Sequence, residues 1–147
     1  MLYIGSDHGG FKLKEKIKEF LVKKEYEFDD LGNSEFDAKD DYPDFAFLVG
    51  EKVAEHASNK GILLCRSSAG MVIAANKVKG IRAVAVSNKK EAEHAVLHND
   101  ANIIALAGDR LTEKEILGIV DIFLETEFKK EKRHVRRLKK ISDYEEK

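Results

Sequence analysis

The chain has 147 residues, 43% of them hydrophobic and 36% charged, enough for one domain with a real core and a heavily charged exterior. Twenty-six basic residues against 27 acidic ones leave a formal charge of −1, so no global basic field exists to recruit nucleic acid. No apolar run reaches membrane-spanning length and no signal peptide is read at the start, so no membrane partner is expected; the single cysteine, Cys65, cannot close an intrachain disulfide and fits a reducing, cytoplasmic setting.

Taken in order, residues 2–4 form a short apolar run that reads as a strand and stops at Gly5. Leu13, Ile17, Phe20 and Leu21 then recur at the spacing of one helical face. Residues 26–31 read as a second strand, and the polar, acidic stretch 33–41 as a loop. Pro43, the only proline, suits the first turn of a helix whose inner face is expected to carry Phe45, Leu48, Val49 and Val53. A third strand over 61–65 runs into a helix over 69–77, and the β-branched segment 81–86 is a fourth strand. Asn88 with Glu91 resembles a capping box opening a helix that ends near His98. Residues 101–106 are the fifth strand, and Thr112 with Glu115 makes a second capping-box pair ahead of Ile116, Ile119, Val120 and Phe123. The basic tail over 129–140 reads as a helix with Val135 and Leu138 as its apolar anchors.

Strands alternating with helices argue for a single domain over 1–147 of the α/β class. The expectation is a doubly wound (Rossmann-like) five-stranded parallel sheet with helices on both faces and a C-terminal basic helix. Ligands of such sheets bind beyond the carboxyl ends of the strands. Three loops with reactive side chains are expected to converge there, over 5–10, 65–70 and 87–100.

Cys65 admits two readings. It is either a small buried hydrophobe or a thiol at a strand-to-helix junction, where a helix N-terminus and the adjacent Arg66 would favour the thiolate. The small turn Ser67-Ser68-Ala69-Gly70 is either a plain helix cap or a backbone cradle for an oxyanion. Asp7-His8-Gly9-Gly10 lacks the Gly-x-Gly-x-x-Gly spacing, which disfavours a dinucleotide, and leaves His8 beside Asp7 as either structural or catalytic. His94 and His98 lie one helical turn apart, but no further His or Cys pattern completes a metal site, so no metal is expected. Arg133 and Arg137 share a helical face: a solvated charge run on one reading, a phosphate grip on the other.

Five segments occur in an order that resembles the type B ribose-5-phosphate isomerases and the related galactose-6-phosphate isomerase subunits. They are Ser6-Asp7-His8-Gly9-Gly10, Asp41-Tyr42-Pro43, Ala74-Ala75-Asn76-Lys77 with Gly80-Ile81-Arg82-Ala83, His98-Asn99-Asp100-Ala101-Asn102, and Arg133-His134-x-x-Arg137. The resemblance spans essentially the whole chain. It implies that Cys65 is the catalytic base, with the Ser67 hydroxyl in the anion loop, and that His98 opens the sugar ring aided by Asp7. It further implies that His8, Arg133 and Arg137 bind phosphate, that Asn99 contacts substrate oxygens, that Tyr42 lines the pocket and that Gly70 is kept in the loop, while Arg66 and Ser68, which are this chain's own, are expected to face the substrate there. Family members use no cofactor and are dimers or tetramers with active sites shared between subunits. An enediolate reaction needs a base, donors for the developing charge and a clamp that fixes the reacting carbons, which these residue types supply.

The chain departs from the family in three places. The family loop usually reads Cys-Gly-Thr-Gly-x-Gly, so Arg66 and Ser68 stand where glycines permit positive φ and close approach. Val96 stands where many members carry arginine. The family's Gly-x-Arg comes one residue earlier than Gly108-Asp109-Arg110 here, leaving open whether Arg110 takes the place of that arginine. These departures bear on substrate identity more than on fold. Alternatives to a pentose substrate are therefore a six-carbon phosphosugar or a phosphosugar-binding protein without catalysis.

Overall fold

The computed structural model describes residues 1–147. Its elements are β1 (Leu2–Ser6), α1 (Phe11–Lys23), β2 (Phe28–Asp30), α2 (Tyr42–Ala54), β3 (Lys60–Cys65), α3 (Ala69–Ala75), β4 (Ala83–Ala85), α4 (Lys89–Asn99), β5 (Ile103–Ala107), α5 (Glu113–Glu125) and α6 (Lys132–Glu145). The five strands form one sheet in the order β2-β1-β3-β5-β4, every pair parallel, as the alternation of elements led one to expect. Register is set centrally, where Ile4 lies beside Ile62 and Ile62 beside Ile104.

Alternation along the strands divides the core into two layers. Ile4, Ile62, Leu64, Ile104 and Leu106 face α1, α4 and α5 through Ile17, Leu21, Val96, Ile119 and Phe123. Leu63, Cys65, Ile103 and Ala105 face α2 and α3 through Phe45, Val49, Met71 and Ala75. Burying apolar surface on both faces is what holds a parallel sheet together. No helix is long and apolar enough to cross a membrane.

Local signals hold where a cap or a proline carries them. Pro43 lies in the first turn of α2, and Thr112 with Glu115 makes a complete capping box on α5. At α4 only half of the box forms: Asn88 accepts from the Glu91 N–H, while the Glu91 carboxylate reaches past the cap to the Ser87 N–H at 2.7 Å. Three inner-face assignments differ. Lys14 rather than Leu13 is fully buried on α1, because its ammonium meets both Asp30 oxygens at 2.9 and 3.0 Å and the Asn33 carbonyl at 2.8 Å. Leu48 points outward beside Phe47, since Ala46, Val49 and Gly50 fill the inner face of α2. On α6 the buried residue is His134, and Val135 is exposed.

Candidate active site

From β1 the chain turns to β2 at one sheet edge, and from β3 it turns toward β5 and β4 at the other, so β1 and β3 flank the switch point. The carboxyl ends of these two strands carry Asp7 and Cys65 into neighbouring loops. The loops are pressed together: a Cβ on Gly9 would sit 2.4 Å from Arg66 Cγ, and one on Gly10 would sit 2.5 Å from Leu64 Cβ. Glycine is required here by close approach, and the stem of Arg66 runs across Gly9.

Cys65 is buried, and its Sγ accepts a hydrogen bond from the Ser68 N–H at 3.1 Å. That N–H is aimed back at the sulfur because Ser68 takes the left-handed conformation, φ 67° and ψ −25°. Gly70 follows, and the Tyr42 ring lies directly on it: an added Cβ would be 2.5 Å from Tyr42 Cζ. Arg66 and Ser67 are exposed at the mouth, and Arg110 lines a cleft with Ser68, Ser87 and Glu91. Arg110 is thus on the Cys65 side of the molecule.

Asp7 is buried with one carboxylate oxygen accepting from the Gly9 N–H at 2.9 Å. Burial pushes its pKa up, against that hydrogen bond and the neighbouring His8. His8 is fixed by Asp40, whose Oδ1 lies 2.7 Å from His8 Nδ1 and accepts from the His8 N–H at 3.0 Å. Asn33 Nδ2 donates to the other Asp40 oxygen at 2.9 Å, so the acidic loop is a buttress for His8. Sequence reading missed Asp40, because nothing in an acidic loop marks which carboxylate reaches back. Asp7, His8 and Asp40 bring ligand-type atoms within 4.8 Å of one another, but two of those atoms already serve the His8–Asp40 pair.

The remaining residues lie elsewhere, and the expected convergence of three loops does not occur within one chain. A helix following a parallel strand runs back along the sheet, so α4 begins at the carboxyl ends and delivers His98 and Asn99, about 16 Å further on, to the amino ends. Asn102 marks that end, accepting from the Gly61 N–H at the start of β3. The segment after α5 docks there through Lys129 N–H on the Leu97 carbonyl, which sets α6 across the end of α4. His98, Asn99, Arg133 and Arg137 therefore share one cleft, with His94, His134, Leu138 and Ile141 completing its wall. His98 is stacked on His134 with centroids 4.7 Å apart and planes 17° apart. Val96 is buried against the sheet and takes no part in the cleft. The chain thus carries two clusters, one at each end of the sheet.

Residues 2–141 match the family model described as Ribose/Galactose Isomerase. The chain is 46% identical over 145 residues to the probable ribose-5-phosphate isomerase B of Mycoplasma genitalium, covering 98% of this chain and 95% of that one. The crystal structure of the Mycoplasma genitalium enzyme with bound ribulose-5-phosphate superposes with a TM-score of 0.95 at 45% identity, over 99% of this chain and 96% of that one. Ribose-5-phosphate isomerase B of Clostridium thermocellum gives a TM-score of 0.91 at 43% identity, over 99% and 97%.

Proposed function

Since the chain belongs to the ribose/galactose isomerase family and is a sugar-phosphate isomerase, we propose that it interconverts ribose 5-phosphate and ribulose 5-phosphate through an enediolate. The thiolate of Cys65 takes the proton from C2 and returns it to C1, and the loop through Ser67 and Ser68 carries the developing oxyanion. The observation that supports this most is the Ser68 N–H donating to Cys65 Sγ at 3.1 Å, which holds the sulfur at the base of the loop. His98 opens the furanose, Asn99 holds substrate hydroxyls, and Arg133, Arg137 and His8 bind the phosphate.

The base and the ring-opening histidine lie at opposite ends of one sheet, so the reading requires that a second copy bring its His98 cluster to this chain's Cys65. Phe47, Leu48 and Ile73 stand exposed on α2 and α3, the helices that cover Cys65, and give a second copy an apolar surface. Arg66, in place of a family glycine, is exposed with its stem over the β1 loop, and on this reading it supplies charge for a substrate oxygen.

Ribulose 5-phosphate formation from ribose 5-phosphate, measured in excess chelator for wild type and Cys65→Ala, tests the reading. Turnover that survives the chelator and falls by roughly a hundredfold or more in the variant is expected for a proton-transfer base. Undiminished turnover in Cys65→Ala removes the cysteine mechanism. No wild-type turnover, with turnover of a hexose 6-phosphate, moves the substrate to six carbons.

A further inference from the structure

Next to His98 stands a residue that the proposed chemistry has not yet used. His94 lies one turn earlier on α4, and its Nε2 is 2.8 Å from His98 Nδ1, with ring centroids 4.1 Å apart and planes at 74°. From the other side α6 supplies His134, which stacks on the His98 face. One edge and one face of the His98 imidazole are therefore occupied, and Nε2 is the ring nitrogen left for a substrate in the cleft with Asn99, Arg133 and Arg137.

We propose that His94 is a positioning residue for ring opening, accepting the His98 Nδ1 proton so that His98 presents the lone pair of Nε2 to the sugar; this rests on the isomerase reading above. Opening a furanose moves one proton from the anomeric hydroxyl to the ring oxygen. With its Nδ1–H bonded to His94, His98 takes the anomeric proton on Nε2 as the C1–O1 bond becomes a carbonyl. The C1–O4 bond breaks, and its electron pair receives that same proton from Nε2. His98 ends as it began, and no external acid, base or oxidant is needed. A hydrogen bond that fixes which imidazole nitrogen carries the proton decides whether such a group acts as base or acid at its free edge.

The surroundings agree with this role. Burial lowers the pKa of His98, and repulsion from His94 on its own helix and from His134 and Arg133 on α6 lowers it further, opposed by Glu131. Arg137 faces the same cleft. The free base is the form that accepts a proton, and these groups maintain it. His94 itself is exposed, so replacing it leaves the core intact.

Steady-state kinetics on ribose 5-phosphate and 15N NMR of the imidazoles should be compared for wild type, His94→Leu and His94→Gln. His94→Leu is expected to lower kcat by about tenfold to a hundredfold with KM changed less than about twofold. The acid limb of its pH profile should leave its wild-type position, because His94 accepts from the protonated His98 at Nδ1 and, when itself charged, repels it. NMR should place the His98 proton on Nδ1 in wild type and lose that preference in His94→Leu, while His94→Gln, keeping an acceptor, recovers part of the rate. Wild-type kcat, acid limb and 15N pattern in His94→Leu would overturn the proposal while leaving the isomerase reading intact. Absence of turnover in wild type would overturn both, a different and separable result.

Discussion

Ser68 is the residue on which the departure from the family loop turns. Its φ of 67° lies in the left-handed region, where a side chain costs about 1–2 kcal/mol relative to glycine. The conformation aims the Ser68 N–H at Cys65 Sγ, so the turn is made here without a glycine. Ser68→Gly should therefore keep turnover near wild type and change stability by about 1 kcal/mol or less, relief of strain being offset by the freer unfolded chain. A β-branched residue is far less tolerant of positive φ, so Ser68→Val should disturb the loop and lower kcat. Thermal melts with assays of both variants check this. Equal loss of turnover in the two would show that the serine hydroxyl, and not the backbone, sets the loop. Arg66 is accommodated by a different device, its stem lying across Gly9, where any side chain would collide with it.

Between elements, the pair that joins α1 to β2 is the one with most at stake. Lys14 is fully buried, and its charge is met by Asp30 and the Asn33 carbonyl, with Lys18 joining Asp30 at 2.9 Å. Removing one member of a buried pair leaves an uncompensated charge, so Asp30→Asn should cost roughly 3–5 kcal/mol in denaturant unfolding. Burial alone would raise the Asp30 pKa, but hydrogen bonds from Lys18, Lys14 and the Gly32 N–H outweigh it and hold the carboxyl below its usual 3.8. Because the folded value is depressed, the stabilisation is complete above the unfolded value and is lost as pH falls through the folded one. Wild type should thus lose this share of its stability below about pH 4, and Asp30→Asn should lack that component. A parallel acid dependence in the variant would assign it to other carboxylates. Lys14 also shows what kind of signal a sequence carries. Pro43, the Thr112 box and the alternation of β-branched runs with helix-period segments act locally, and they marked the elements and the sheet correctly. A lysine inside a helix reads as solvated, and only a partner 16 residues away makes it a core residue. The outward turn of Leu48 and the burial of His134 were illegible for the same reason, each being decided by what packs beside it.

For the molecule as a whole, the decisive fact is direction. Every strand of a parallel sheet points the same way, so whatever follows a strand directly sits at the carboxyl end and whatever ends a crossover helix sits at the amino end. The sequence showed Cys65 and His98 in strand–helix units, but treating the whole span 87–100 as one loop placed both at the same end. The 11 residues of α4 separate them. A site using both must combine two copies, and in a symmetric dimer each such site takes its thiol from one chain and its His98 cluster from the other. Cys65→Ala and His98→Asn should each be inactive alone, yet a co-expressed mixture should recover roughly a quarter of wild-type turnover. Half of randomly paired dimers are mixed, and each mixed dimer has one intact site and one doubly defective site. Arg133→Ala with Cys65→Ala should complement in the same way, whereas Arg133→Ala with His98→Asn should not, because both lesions fall in the same half of the site. Recovery in the first two pairings and none in the third would establish the division between chains. No recovery in any of them, with mixed dimers verified by mass, would mean that each chain works alone.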